Sequence, residues 1–250
     1  MSTFPSAPDD ETLVDGIHLS ILAQPNDTTC GPTCLQAVYG YYGDVVSLDQ
    51  VISETPALVD GGTLAPMLGQ HAIRRNYQAV IYTFNLRVFD PTWFDADGNA
   101  ITDLSQKLQA QLDVKHDDKL RLAGDAYRNF ILSGGTIRMV DLTREILRRY
   151  LSRGIPILTG LSSTFLYRSA REIGATCEPD DIRGTPVGHF VVLCGYDRKR
   201  KLVQVADPYL PNPVAPRENY YVIGVDRVVS AVLLGTLTYD ANLLILTPRK

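Results

Sequence analysis

The spacing of apolar residues changes along this 250-residue chain, from helical in the first part to strand-like in the last. Leu35, Val38, Tyr39 and Tyr42 recur at the spacing of a one-sided apolar helix, and Gly43 is placed to end that helix. Short apolar runs between turn-forming residues favour strands at 189–196, 202–206, 220–225 and 243–246. The pattern therefore predicts an α+β fold, with a helical N-terminal lobe and an antiparallel β-sheet C-terminal lobe.

Helix-start signals and a change of pattern organise the stretch between these two parts. Ser47 with Gln50 three residues later forms a capping-box pattern, and Thr63 precedes another apolar stripe. A strand is expected at 17–23, before the first helix. From about 85 to 138 the pattern loosens into two polar helical stretches, 104–112 and 119–132. We interpret residues 1–250 as a single domain with a helical insertion at about 85–138.

Charge and hydropathy exclude some classes of partner. The formal net charge of −4 provides no basic field that would attract a phosphate backbone, so we expect no nucleic acid partner. The N-terminal residues lack the basic start and apolar run of a secretion signal, and the chain has no stretch of about 18 apolar residues. We therefore expect a cytoplasmic protein that does not contact a membrane.

Four cysteines in 250 residues are too few for a disulfide scaffold, so we expect them to be free thiols. Cys30 lies at the predicted start of the first helix, where Pro32 fits the first turn. A helix start favours the thiolate because unpaired N–H groups and the helix dipole lie beside it. Cys34 and Cys194 fit packed positions, and their spacing does not match common zinc modules. Cys30 is therefore the candidate nucleophile, and no metal or cofactor is expected.

A thiol nucleophile needs a base, and only His189 among the four histidines is followed by a suitable partner. The turn centred on Arg198 and Lys199 predicts a hairpin in which His189 lies opposite Pro208 and beside Asp207. Asp207 is then within reach of one imidazole nitrogen and leaves the other free to face the thiol. Gln24, six residues before Cys30, can point amide N–H groups at a developing oxyanion.

Three segments resemble the bacteriocin-processing cysteine peptidases, a branch of the papain-like superfamily. These segments are 24–34 (QPNDTTCGPTC), 188–193 (GHFVVL) and 206–209 (ADPY). The resemblance implies a papain-like fold with a helical lobe and a sheet lobe. It also implies that Cys30 is the nucleophile, His189 the base, Asp207 the orienting carboxylate and Gln24 the oxyanion donor.

The resemblance leaves the substrate open. The best-known members of this group are fused to membrane transporters and cut leader peptides after paired glycines, whereas this chain carries no transporter segment. We expect a peptide or protein substrate and a thiol mechanism of hydrolysis, with leader-peptide processing as one version. An acyltransferase on the same fold, and a catalytically silent peptide-binding module, are the two alternatives.

Overall fold

The structure is a computed structural model, and it describes residues 16–58, 61–174 and 176–249. Its helices are α1 (Cys30–Tyr41), α2 (Leu48–Glu54), α3 (Ala65–Arg74), α4 (Leu104–Val114), α5 (Asp118–Leu132), α6 (Arg144–Leu151), α7 (Ser163–Tyr167) and α8 (Val225–Leu234). Its strands are β1 (Tyr77–Thr83), β2 (Thr136–Arg138), β3 (Ile157–Ser162), β4 (Glu172–Ile173), β5 (Glu178–Pro179), β6 (Gly188–Asp197), β7 (Leu202–Ala206), β8 (Tyr220–Gly224) and β9 (Asn242–Pro248). Short 3₁₀ turns lie at Pro91–Trp93 and Gly235–Thr238.

A seven-stranded sheet organises the fold, in the order β2-β1-β9-β3-β6-β7-β8. All neighbouring pairs are antiparallel except β1 and β2, which are parallel. Helices α1 and α3 pack against β6 and β1, and α8 packs against β3. The central strand β3 is buried along its whole length, as expected for a strand covered on both sides. The predicted α+β class, with a mainly antiparallel sheet, is confirmed.

The sheet is more continuous than the division into two lobes suggests. Strand β1 comes from the first half of the chain, yet it pairs along its full length with β9 at the C-terminal end. The predicted strand at 17–23 is wrong. Burial alternates over 17–21, but the segment joins no sheet. It is held by a bond of 2.7 Å from Ile17 N to Cys194 O and by the Tyr220 hydroxyl, which donates to Leu19 O at 2.8 Å.

The two helices predicted between residues 85 and 138 are present as α4 and α5. The side chains of Asp103 and Asp117 cap them by accepting hydrogen bonds from backbone N–H groups. Helix α5 packs closely against α3. A Cβ added to Gly69 of α3 would lie only 2.4 Å from the ring of Phe130 of α5. The reading of this stretch as an insertion in a single domain remains a prediction.

Among the described residues, the helices are too short or too polar to cross a lipid bilayer.

Candidate active site

Cys30 is the first residue of α1, and an ordered turn places it there. Asn26 builds this turn, since its side chain accepts from Thr28 N at 3.0 Å and its carbonyl accepts from Thr29 N at 3.3 Å. The first N–H groups of a helix have no acceptor within the helix, so the Cys30 thiol lies where backbone donors and the positive end of the helix dipole meet. Only 8% of Cys30 is exposed, so its surroundings are largely dry.

Gly31, directly after the cysteine, permits a close approach of neighbouring segments. A Cβ at this position would lie 2.4 Å from the Thr63 methyl group and 3.3 Å from the ring of Phe190. The loop before α3 and the strand β6 therefore both pack against the start of α1. This contact brings the Cys30 segment to the strand that carries His189.

His189 lies near the start of β6 and is 8% exposed. Its Nε2 is 2.8 Å from Asp207 Oδ1, so Nδ1 is the ring nitrogen available to the thiol. The interaction with the Cys30 side chain also raises the pKa of this imidazole. The rings of Tyr167 and Tyr209 flank the imidazole, with centroid distances of 6.0 and 6.2 Å. The imidazole is thus held in orientation and shielded from water.

Asp207 is completely buried and accepts hydrogen bonds at both carboxylate oxygens. Oδ1 accepts from His189 and from Tyr209 N at 3.0 Å. Oδ2 accepts from the hydroxyls of Tyr167 at 2.7 Å and Tyr221 at 2.8 Å. A buried carboxylate needs such a set of donors to remain ionised. Four donors therefore fix both the position and the charge of Asp207.

Burial and pairing shift the pKa values of His189 and Asp207 in opposite directions. Burial by itself lowers the pKa of His189, but the charge and hydrogen bond of Asp207 and the interaction with Cys30 raise it to about 10. Burial raises the pKa of Asp207, and the charge and hydrogen bond of His189, with the Tyr167 hydroxyl, reverse this and hold it below its usual range. Both shifts favour an imidazolium–carboxylate pair beside the thiol.

Gln24 reaches the same region through its backbone. Its N–H donates to Pro208 O at 2.8 Å, which ties Gln24 to the residue that follows Asp207. The side-chain Nε2 donates to Asn26 O at 2.9 Å, so one amide N–H is engaged in the turn and the second is left for another acceptor. The side-chain Oε1 is buried without a hydrogen-bond partner among the described residues. Its role as oxyanion donor remains a prediction.

The hairpin that joins β6 and β7 differs in register from the prediction. A bulge between Leu193 and Gly195 shifts the pairing, so that Val192 pairs with Ala206. His189 is therefore not opposite Pro208. The shift puts His189 and Asp207 two positions apart in register, on the same face of the sheet, whereas the predicted register would have pointed them to opposite faces.

Sequence reasoning missed a second buried carboxyl group near the imidazole. Asp240 is 6% exposed and accepts from the Thr238 hydroxyl at 2.6 Å. It fits because two neighbouring positions lack side chains: a Cβ on Gly188 would lie 2.0 Å from Asp240 Oδ2, and one on Gly160 would lie 2.9 Å from its Cβ. Burial raises the pKa of Asp240 to about 7, although Thr238 and the charge of His189 lower it. No motif marked this residue.

Two of the other cysteines are packed in the core, as expected. Cys34 donates to Phe190 O at 3.3 Å, and burial raises the pKa of its thiol well above the usual value. Burial likewise raises the pKa of Cys194 to about 12. Cys177 is largely exposed, and the partial burial of its thiol and the charge of Asp27 raise its pKa. In the described ranges, no group of three or more His, Cys, Asp or Glu side chains could hold a metal ion.

Comparisons with known proteins give a family match and several similar folds. The model of the Peptidase_C39 like family matches residues 17–221. No match was found among curated proteins. A structure from Bacillus anthracis described as a C39-like peptidase is 15% identical, with a TM-score of 0.51 and coverage of 96% of this chain and 100% of that chain. This similarity shows a shared fold.

Two further solved structures are similar with lower scores. Xylellain, a cysteine protease from Xylella fastidiosa, is 13% identical, with a TM-score of 0.45 over 96% of this chain and 88% of that chain. A double glycine motif protease from an AMS/PCAT transporter, solved in complex with the leader peptide, is 14% identical, with a TM-score of 0.44 over 94% of each chain.

Proposed function

The chain belongs to the Peptidase_C39 like family, and from this membership and the geometry of the site we propose that it is a cysteine peptidase acting on a peptide or protein in the cytoplasm. Cys30 is the nucleophile, His189 the general acid and base, Asp207 the orienting carboxylate, and Gln24 a donor to the oxyanion. The observation that carries the proposal is the arrangement of a buried Asp207–His189 pair beside a thiol at a helix start.

The catalytic steps follow from the atoms that face one another. The proton of the Cys30 thiol passes to His189 Nδ1, because Nε2 is bonded to Asp207. The thiolate attacks the carbonyl carbon of the scissile amide, and the charge that forms on the carbonyl oxygen meets the Cys30 N–H and the second amide N–H of Gln24. His189 then protonates the leaving amine, and a thioester with Cys30 remains.

The second half of the reaction separates the peptidase from its acyltransferase alternative. In hydrolysis, His189 takes a proton from water, the hydroxide attacks the thioester, and the acid product leaves with regeneration of the thiol. In acyl transfer, an amine takes the place of water. The same residues serve both outcomes, so the acceptor that enters the site decides between them.

The first test is alkylation of Cys30 by iodoacetamide as a function of pH, followed by intact mass and peptide mapping. We expect fast, selective labelling of Cys30 at about pH 6, where an ordinary thiol with a pKa of about 8.5 is almost unreactive. Cys34 and Cys194 serve as internal controls because they are only 0% and 1% exposed, compared with 8% for Cys30, and because burial raises the pKa of both thiols. A Cys177→Ser background removes the exposed competing thiol.

A His189→Gln variant tests the pairing itself. Labelling of Cys30 at low pH should be lost in this variant and kept in a His116→Gln control, which changes an exposed histidine. Slow labelling that is unchanged by His189→Gln would refute the proposal and favour the silent binding module. Turnover of peptide mixtures, with and without an added amine, then separates hydrolysis from acyl transfer by the mass of the product.

A further inference from the structure

The carboxyl group of Asp240 is buried behind the strand that carries His189, and the proposed catalytic steps do not use it. Strand β3 lies between β9 and β6 in the sheet, and the Asp240 side chain reaches across it. A Cβ on Gly160 of β3 would lie 2.9 Å from the Asp240 Cβ, and one on Gly188 of β6 would lie 2.0 Å from its Oδ2. The carboxyl group therefore contacts the backbone of the residue directly before His189, where only glycine leaves room for it.

The surroundings of Asp240 differ from those of the other buried carboxylate. Asp207 accepts from four donors, whereas the Thr238 hydroxyl, 2.6 Å from Oδ2, is the one donor to the carboxyl group of Asp240 among the described residues. A buried carboxyl group with so few donors favours its neutral form. Burial accordingly raises the pKa of Asp240 to about 7, although Thr238 and the charge of His189 lower it. Asp240 thus changes charge close to neutral pH, while the pKa of Asp207 is held low and Asp207 stays ionised.

Two titratable groups on neighbouring elements interact with the charge of Asp240. The positive charge of His189 on β6 lowers the pKa of Asp240, and this interaction is mutual, so an ionised Asp240 favours the imidazolium. Burial, and then the charge of Asp240, raise the pKa of Tyr127 on α5, which keeps that phenol neutral. Besides burial, Asp207 and Cys30 have the largest effects on the pKa of His189. Asp240 is therefore a further, weaker influence on the same imidazole.

We propose that Asp240 is a positioning residue of the reaction, which holds the start of β6 in place and tunes the imidazole of His189 from behind that strand. In its neutral form the carboxyl group packs against Gly188 without adding a charge. In its ionised form it adds a second negative charge to that of Asp207 and favours the imidazolium that pairs with the Cys30 thiolate. The inference rests on the proposed peptidase function and deepens it, because the imidazolium is the acid that protonates the leaving amine.

An NMR titration of the histidine imidazoles tests this inference on the full chain. The chain has four histidines, and His189→Gln identifies the signals of His189 by their loss. In wild type these signals should shift with an inflection near pH 7, where Asp240 ionises. Asp240→Asn keeps the shape of the side chain and an acceptor for Thr238, but it should abolish the inflection. It should also lower the pKa of His189 by roughly 0.5–1 unit, compared with ~1–3 for a directly adjacent charge. The alkaline limb of kcat/KM for a cleaved peptide should move to lower pH by the same amount.

Thr238→Val separates the effect of charge from an effect of packing. The variant removes the hydroxyl that donates to Asp240 and lowers its pKa, so the inflection at His189 should move to higher pH. A residue that only filled space would not produce this change. Asp113→Asn is the matched control, because it neutralises an exposed carboxylate on α4 and should keep both wild-type curves. Urea unfolding establishes that each variant is folded, and Thr238→Val keeps the test decisive if Asp240→Asn does not fold.

The outcomes distinguish this inference from the proposed function. A folded Asp240→Asn protein with the wild-type inflection and the wild-type alkaline limb would overturn the inference, as would an unmoved inflection in Thr238→Val. In either case, His189-dependent labelling of Cys30 would still uphold the proposed function. If that labelling is absent, the peptidase assignment fails, and the inference fails with it.

Discussion

Replacing Asp207 by Asn tests how much the buried carboxylate contributes to the reactive pair. The side chain keeps its shape, and the amide can still meet the four groups around it. Its oxygen can accept from His189 and Tyr209 N, while its NH₂ group can donate to the hydroxyls of Tyr167 and Tyr221, since hydroxyls also accept. The variant is therefore expected to fold, whereas Asp207→Ala would leave two buried hydroxyls without their acceptor.

The loss of charge sets the magnitude. Hydrogen bonds to charged groups contribute about 1.5–3 kcal/mol, compared with about 1 kcal/mol for neutral ones. A difference of one pKa unit corresponds to about 1.36 kcal/mol. The difference between these two contributions is about 0.5–2 kcal/mol. Because Asp207 raises the pKa of His189, we expect Asp207→Asn to lower that pKa by about one unit and to reduce kcat/KM at neutral pH by roughly 2- to 30-fold.

The assay combines the pH profile of Cys30 alkylation with kcat/KM for a peptide, and urea unfolding reports the fold. Tyr221→Phe is the control, because it removes a donor to Asp207 Oδ2 and leaves the carboxylate and its bond to His189. It should lose stability but keep the wild-type pH profile. A folded Asp207→Asn protein with the wild-type profile and rate would refute the coupling between Asp207 and His189.

Two further substitutions probe the buried carboxyl group of Asp240. Burial raises the pKa of Asp240 in the folded protein to about 7. The contribution of this carboxyl group to stability is therefore present below the unfolded pKa of about 3.9 and is lost as pH rises to about 7, a loss on the order of 4 kcal/mol. Urea unfolding at pH 5 and pH 8 should show wild type losing stability relative to Asp240→Asn, and a parallel pH dependence of the two proteins would contradict this. Gly188→Ala should lower the free energy of unfolding by about 1–3 kcal/mol, because the new methyl group would lie 2.0 Å from Asp240 Oδ2. Gly40 in α1 has open space around it, so Gly40→Ala should instead raise the free energy of unfolding by about 0.5–1 kcal/mol. Thermal unfolding in which both variants changed stability in the same direction would contradict this.

Local sequence signals predicted most helices and the approximate positions of most strands. Ser47 caps α2 through Gln50 N at 3.2 Å, as its pattern indicated. The stretches expected at 104–112 and 119–132 became α4 and α5. Such features depend on residues a few positions apart, so short-range periodicity and capping determine them. The segment at 17–23 shows the limit, because an alternating pattern does not specify whether a neighbouring strand is available to pair with it.

The identity of the candidate site residues could be read from sequence, but their geometry could not. The order Gln24, Cys30, His189 and Asp207 was available from motifs and from the expected hairpin. The bulge near Cys194, which brings His189 and Asp207 to one face, leaves no distinct mark in the sequence. A strand register depends on how side chains pack across the sheet, and an alternating pattern alone does not specify it.

Contacts between distant segments determined the rest of the site. The hydroxyls of Tyr167 and Tyr221 that stabilise Asp207 come from α7 and β8, and Asp240 arrives from the segment before β9. Strand β9 itself inserts between β1 and β3, in the middle of the sheet. The sequence by itself determined where helices begin and which residues carry the thiol, imidazole and carboxylate, because these depend on neighbours in the chain. Only the tertiary structure decided which groups surround them, because burial and pairing arise when segments far apart in sequence pack together.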